Sequence, residues 1–377
     1  MRVTLITDVR VYKVKEDYYT TGPFYKILER YSKGFGRVVL VTRVIDVKKM
    51  SNGFKKINNF CQKVVKTPSV LKIPFAINDD KIRLAIKQSD FVIIRLPSLT
   101  SILLFKYVKR FHKKYMVEIM GCIWDAFWNH GLSGKIVAPY SFLKMKKIVK
   151  NATYATYVTD KFLQNRYPCK GKSIGVSNVD IKRISGPKIY TKKQREKLSL
   201  LTAAAVDVRY KGQKYVIKAI KKLNKKGLKY DYYLAGGGRQ DYLKKIAERK
   251  HVESQIHFLG SLEHDDLLKY MKGVDYYIQP SLQEGLPRSV IEAMSCGCVC
   301  FGSNTAGIPE LLNNKYIFKR RSSGSIVKIL SREFTVPELN SNSRENSDLS
   351  KKFLSGFLDK KRFAFYEKIR EEVEGEK

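Results

Sequence analysis

Apolar, β-branched runs alternate with helix-like segments twice over along this chain, and few folds can absorb that pattern. The first series places strands at residues 3–7, 38–44, 91–96, 115–120 and 154–158. The run at 38–44 is apolar and β-branched, as in a strand covered on both faces. One helix begins near Pro23, others cover 81–87 and 98–112, and Thr159 and Asp160 are capping candidates for another. The second series begins at Leu198. Strands at 198–204, 230–235 and 256–259 alternate with helices at 214–225, 240–249 and 265–272. Such alternation predicts parallel sheets wrapped by helices, the α/β class, and two series predict two Rossmann-like, doubly wound domains. The 377 residues suffice for both. The join falls between 178 and 197, where apolar periodicity lapses and Gly186, Pro187 and lysines collect. This sets a first domain at 1–185 and a second at 186–350. Residues 333–350 read as polar and turn-rich, and 351–377 as terminal helices.

The formal net charge is +38. Such a charge implies a polyanionic partner: an acidic-lipid leaflet, nucleic acid or an acidic substrate. Neither a zinc finger nor an RNA-binding aromatic signature accompanies it, so no specific nucleic-acid partner is expected. Two basic clusters carry apolar residues, at 105–114 and at 142–150. Helices of that kind dip apolar side chains into a bilayer interface while lysines meet anionic headgroups, which makes an anionic membrane surface an expected partner. The chain lacks an apolar run of about 18 residues, so no transmembrane helix is expected. Residues 2–7 read as a first strand rather than a signal peptide. The expected location is cytoplasmic, peripheral on the inner face of the cell membrane. Cys296, Cys298 and Cys300 fall on alternate positions. They read as small buried strand residues, because zinc chelation favours wider cysteine spacing and a second ligand pair. Reduced thiols suit a cytosolic chain.

The densest chemistry lies at 279–311, QPSLQEGLPRSVIEAMSCGCVCFGSNTAGIPEL. Glu284 sits on a glycine-containing turn after a strand-like run at 276–279, and Glu292 follows inside a helix after seven intervening residues. Pro287 suits an early helical position, having no N–H to leave unpaired. The amides of that first turn, with the helix dipole behind them, make an anion site. Donors for a diphosphate and carboxylates for two sets of hydroxyls are what a nucleotide sugar requires.

This segment resembles the retaining glycosyltransferases of the GT4 family, whose signature is a pair of glutamates at this spacing. The resemblance covers most of the chain and is most specific from about 199 to 311. It implies the GT-B fold: two Rossmann-like domains with a cleft between them, the last helix returning to the first domain. It also implies a nucleoside-diphosphate sugar as donor substrate and no cofactor. By the same resemblance Glu284 contacts the donor sugar's hydroxyls, Glu292 the ribose, and the amides of Gly285 and Leu286 the diphosphate. Lys211 matches the family's basic diphosphate site, with Gly212 beside it and Arg209 the weaker partner, since Ala203, Ala204 and Ala205 stand where a Gly-Arg pair is common. A lysine there can neutralise a leaving diphosphate as a point charge. Gly236, Gly237 and Gly238 follow a strand and match the family's glycine pair near the nucleotide, and Phe258, Leu259 and Gly260 match the element beside the base. Gly307, Ile308, Pro309 and Glu310 look like its GxPE motif, with Glu310 better read as a first-turn carboxylate complementing the helix dipole.

The first domain is expected to hold the acceptor. Only Gly22, after Thr20 and Thr21, stands where relatives have a glycine pair. In the loop at 121–134, with Trp124, Trp128 and Asn129, Asp125 ranks first as the polar residue. Glu118 and His130 are alternatives, and Met120 occupies a position where relatives often have histidine. With no Asp-x-Asp in the chain, no metal site is expected. The reading is a metal-independent hexosyl- or related transferase moving sugar to a hydroxyl, with a lipid-linked saccharide of bacterial surface polysaccharide synthesis as acceptor. The alternatives are a GT-B nucleotide-sugar epimerase or phosphorylase, and a non-enzymatic polyanion-binding protein.

Overall fold

The computed structural model describes residues 1–50, 53–68, 79–129, 131–191 and 197–375. The chain divides into two compact units, Met1–Val176 with Asp359–Lys377, and Ser177–Leu358. His130 and residues 192–196 of the expected join lie outside the described residues.

In the first unit the elements run β1 (Val3–Val14), β2 (Asp17–Thr21), α1 (Gly22–Phe35), β3 (Val38–Asp46), β4 (Phe54–Lys56), β5 (Cys61–Thr67), α2 (Asp80–Lys87), β6 (Phe91–Leu96), α3 (Leu99–Arg110), β7 (Lys114–Ile119), α4 (Ile123–Trp128), α5 (Gly131–Lys150), β8 (Tyr154–Tyr157), α6 (Phe162–Arg166) and β9 (Lys172–Gly175). β1 lies between β3 and β6 in a parallel core that continues through β7, β8 and β9. Val38, Val39, Leu40 and Val41 are fully buried, which accounts for their uninterrupted apolar run. The first strand is longer than expected. Its far half turns back antiparallel onto β2, which in turn pairs with β4. Thr20 and Thr21 therefore end a strand, where a strand-to-helix connection was expected.

In the second unit come β10 (Leu198–Ala203), α7 (Gln213–Asn224), β11 (Tyr230–Ala235), α8 (Asp241–Glu248), β12 (Ile256–Gly260), α9 (His264–Gly273), β13 (Tyr276–Gln279), α10 (Arg288–Ser295), β14 (Val299–Ser303), α11 (Ile308–Leu311), β15 (Ile317–Phe318), α12 (Ser323–Leu330) and α13 (Val336–Ser350). All pairs in this sheet are parallel, in the order β12-β11-β10-β13-β14-β15. The order reverses at β10 and β13. Open α/β sheets take their ligands beyond the carboxyl ends of strands at such a switch point. Buried Leu200, Ile278, Val299 and Phe301 form the core beneath it, each side chain contributing about 1.5–3 kcal/mol. Cys298 and Cys300 are fully buried beside them.

Two expectations about segments need correction. The units divide between Val176 and Ser177, not between 185 and 186. Residues 177–185 belong with the second unit: Ile181 bridges Leu354, and the Ser185 N–H donates to the Ser295 carbonyl at 2.8 Å. The polar stretch at 333–350 is mostly helix, because its polar face is its buried face. Ser343 Oγ donates to the Gly297 carbonyl at 2.7 Å, and Asn346 Nδ2 to that of Cys298 at 2.8 Å. The last helix, α14 (Ser355–Glu374), starts in the second unit and joins the first from Asp359 onward. There Phe365, Tyr366 and Ile369 enter the core around Val3, Leu5 and Phe91.

Candidate active site

Lys211 lies just after β10, in a single turn at Arg209–Lys211, and Glu284 follows β13. The two neighbouring strands at the switch point thus deliver a cation and a carboxylate to the same edge. Lys211 Nζ donates to Glu284 Oε1 at 2.7 Å. The Ser281 hydroxyl donates to the same oxygen at 2.7 Å, and Gln279 Nε2 at 3.3 Å. No other group among the described residues bonds Glu284 Oε2, so one carboxylate oxygen is held and the other is available. An ammonium has three donors, and the contact with Glu284 occupies one.

A second row of polar groups supports this pair. Gln279 Oε1 accepts from the Tyr277 hydroxyl at 2.6 Å and from the Ser289 hydroxyl at 3.2 Å. Gln279 Nε2 also donates to Ser281 Oγ at 2.8 Å, and the Ser281 carbonyl accepts from Ser303 Oγ and Thr305 Oγ1. Gln279 and Ser281 are buried, so their bonding groups are fixed rather than solvated. No sequence motif marks Gln279, Ser281 or Ser289. The signal was a glutamine closing an otherwise apolar and aromatic strand, where burial of an amide demands partners.

Gly212 ties the halves together. Its φ is 78°, and a Cβ there would strike the Pro280 carbonyl oxygen. The Leu282 N–H donates to the Tyr210 carbonyl at 2.7 Å. Backbone contact of this closeness sets the distance between Lys211 and Glu284. Gly212→Ala should therefore cost at least about 1–2 kcal/mol in backbone strain and lower turnover without touching a side chain of the pair. Hydrogen exchange of the α7 amides, alongside a turnover assay, would measure both effects.

The amides of Gly285 and Leu286 make no hydrogen bonds among the described residues, while the Gly285 carbonyl accepts from the Gly307 N–H at 2.9 Å. Through that bond the GxPE turn, whose Ile308–Leu311 segment is helical, holds the Glu284 loop. Pro287 is the cap preceding α10, with extended backbone, and not a residue of its first turn. Extended backbone is what its ring imposes least strain upon when the next residue starts the helix. Glu292 is half-buried on α10. Burial raises its carboxyl above the ordinary value; the charges of His264 and Arg288 pull it down and that of Asp180 pushes it up.

Arg209 lies apart from this pair: its guanidinium stacks over the Tyr242 ring, 4.9 Å from the centroid. The Gly236 N–H donates to the Gly260 carbonyl at 2.7 Å, and a Cβ on Gly236 would run into the Ala204 carbonyl. The approach of two backbone segments is thus enough to require glycine there. Gly238 lies against the Asp207 carboxylate. A polar depression lined by Asn313, Lys315, Arg332 and Glu338 contains none of these groups and is bridged by the Arg332–Glu338 ion pair.

In the first unit, Asp125 is in the first turn of α4, not in a loop, because 123–128 is helical and α5 begins at Gly131. Its carbonyl accepts from Asn129 Nδ2 at 2.8 Å. Its charge, second to burial, raises the Cys122 thiol. Glu118 belongs to a buried ion pair. It is buried, with Oε2 accepting from Arg95 Nε at 2.5 Å and from the Tyr31 hydroxyl at 2.7 Å. The Met120 thioether Sδ accepts from Nη2 of the same guanidinium at 2.6 Å.

Two Rossmann-like α/β units, each built on a parallel core of strands, make this the GT-B fold. A solved structure from Anabaena, Alr3699/HepE in complex with UDP-glucose, shares the fold at a TM-score of 0.63 and 14% identity, over 97% of this chain and 98% of that one. Residues 188–348 match the family described as glycosyl transferases group 1. Protein CapJ of Staphylococcus aureus is 33% identical over 377 positions, 95% of this chain and 92% of that protein. An N,N'-diacetylbacillosaminyl-diphospho-undecaprenol alpha-1,3-N-acetylgalactosaminyltransferase of Campylobacter jejuni is 25% identical over 178 positions, 45% of each chain. The chain belongs to the group 1 glycosyl transferases.

Proposed function

We propose that this glycosyltransferase moves a hexosyl unit from a nucleoside-diphosphate sugar, with retention, to a hydroxyl of a lipid-linked saccharide in bacterial surface polysaccharide synthesis. The observation that carries the donor assignment is the Lys211–Glu284 contact at the carboxyl ends of β10 and β13. Lys211, with the amides of Gly285 and Leu286, would receive the diphosphate and stabilise the charge that develops as it leaves. Glu284 would take hydroxyls of the donor sugar through Oε2, and Glu292 those of the ribose. Gly236, Gly238 and Gly260 would border the nucleotide, with Arg209 an outer contact. Asp125 would meet the acceptor. Positive side chains and amides do here the work a cation does elsewhere, so the reading is metal-independent. The UDP-glucose held by the Anabaena neighbour supports a nucleotide-sugar donor. The undecaprenol-linked substrate named for the Campylobacter relative supports a lipid-linked acceptor. Such an acceptor would hold the enzyme on the cytoplasmic face of an anionic membrane, in keeping with the net charge of +38.

The test is transfer from a donor panel to undecaprenyl-diphosphate saccharides in the presence of a chelator, with the anomeric configuration of the product read by NMR. Product of donor configuration, formed at an undiminished rate, is expected; an inverted product or a chelator-abolished reaction would overturn the mechanism.

The state of Glu292 adds a prediction with a worked sign. A carboxyl raised by burial favours its neutral form in the fold. Its contribution to stability is present below the ordinary carboxylate range and is lost as pH rises through the raised value. Glu292→Gln should therefore be neutral or stabilising at pH 7, yet weaken donor binding by about tenfold or more, since bonds to a charged acceptor are lost. Wild-type donor affinity should fall as pH drops through the raised value, and the variant's acid limb should be flat. Calorimetric titration across pH, with thermal melts of both proteins, checks each part.

A further inference from the structure

Six of the ten large hydrophobic side chains that stand most exposed among the described residues fall between 128 and 143: Trp128, Leu132, Ile136, Val137, Tyr140 and Leu143. Leu132 and Ile136 are each 80% exposed, Leu143 65% and Tyr140 55%. At 132, 136, 140 and 143 they recur at helical spacing on one face of α5. The opposite face, with Ala138, Met145, Ile148 and Val149, is buried in the first unit. Residues 131–150 hold no acid, while Lys135, Lys144, Lys146, Lys147 and Lys150 are exposed on the same helix.

This placement differs from the sequence expectation. In the 105–114 cluster, Tyr107 and Val108 are buried and Phe105 packs on Tyr115, so that helix is an ordinary packed one. Phe142 also turns inward, against Trp124 and Tyr167. The unpartnered surface is the earlier stripe.

We propose that the outward face of α5 seats in the interfacial layer of a bilayer carrying anionic headgroups, with Leu132, Ile136, Tyr140 and Leu143 in the acyl boundary and the flanking lysines at the phosphates. The proposal deepens the membrane element of the function proposed above and rests on it. An apolar stripe bordered by lysines and no acid matches an anionic interface on both faces of its chemistry. Tyrosine and tryptophan at its edge suit the headgroup level. No helix among the described residues is long and apolar enough to cross a membrane, so α5 lies on the surface rather than through it.

The chain's two tryptophans, Trp124 and Trp128, stack on each other beside this stripe, so intrinsic fluorescence reports on this site. The experiment uses the intact chain with phosphatidylcholine vesicles, with and without phosphatidylglycerol. Co-sedimentation with the anionic vesicles and a blue shift of tryptophan emission are expected. Ile136→Ser with Leu143→Ser should lower the partition coefficient at least about tenfold and remove the shift. Lys135→Glu with Lys146→Glu keeps the stripe and should lose the anionic preference, about fivefold per position or more. Leu84→Ser, on the exposed part of α2, should change nothing. Donor hydrolysis without vesicles should be equal in all variants, so a failed donor site and a failed membrane site give different results. Wild-type partition by the serine variant, or sedimentation without a tryptophan shift, would overturn the proposal. So would a wild-type dimer that the serine substitutions dissociate without affecting vesicle binding.

Discussion

Lys211→Ala is expected to lower kcat by about 10²–10³-fold while changing the donor KM much less. The reason is where the charge acts. A nucleoside diphosphate gains charge as the glycosidic bond to it breaks, so a fixed ammonium contributes more in the transition state than in the ground state. Lys211 Nζ is positioned for this by Glu284 at 2.7 Å, and both side chains are largely withdrawn from solvent, at 23% and 11% exposure. Glu284→Ala should be comparably damaging and should not add to Lys211→Ala, because the two groups orient each other. A kcat measurement on the two single variants and the double variant checks this. Full additivity of the losses would show that the pair does not act as a unit.

Glu118→Ala should destabilise the first unit by about 3–5 kcal/mol. The substitution strands the Arg95 guanidinium, 3% exposed, without its carboxylate, and removes the acceptor of the Tyr31 hydroxyl. Burial first, and then the Glu118 charge, hold the Tyr31 phenol well above its ordinary value. Tyr31 stacks on Tyr366 of the returning helix α14, so the loss should spread to that helix. Arg95→Met combined with Glu118→Leu should cost far less than the single change, because no charge is left buried alone. Native-state hydrogen exchange of the β6, β7 and α14 amides would report the local opening free energies. Equal losses in the single and double variants would contradict a paired-charge account.

Much of the fold was legible because strand periodicity and burial coincide in a sheet covered on both faces. Val38–Val41 and Val299–Phe301 announce themselves for that reason. The hairpin of β1 and β2 was not legible: Tyr12, Lys13 and Val14 are neither continuously apolar nor followed by a glycine turn. Helix α13 escaped for a related reason. Asn342, Ser343 and Asn346 are buried by hydrogen bonding to carbonyls, which hydrophobic periodicity cannot register. At the candidate site, the spacing of Glu284 and Glu292 and the position of Lys211 could be read from the sequence, since each follows a strand. The Gln279 and Ser281 support could not, because polar residues at a strand end read equally well as loop. In the first unit, charge alone did not distinguish packed lysine-rich helices from the stripe on α5. Only side-chain exposure separates Tyr107 from Tyr140.

The most direct test of the central claim is donor binding and slow hydrolysis across a panel of nucleotide sugars, comparing wild type with Glu284→Ala and Lys211→Ala. Selective binding and chelator-insensitive release of one nucleoside diphosphate by wild type, with the release lost in both variants, is the predicted result. Undiminished donor hydrolysis in the two folded variants would contradict the assignment of the donor site to the ends of β10 and β13.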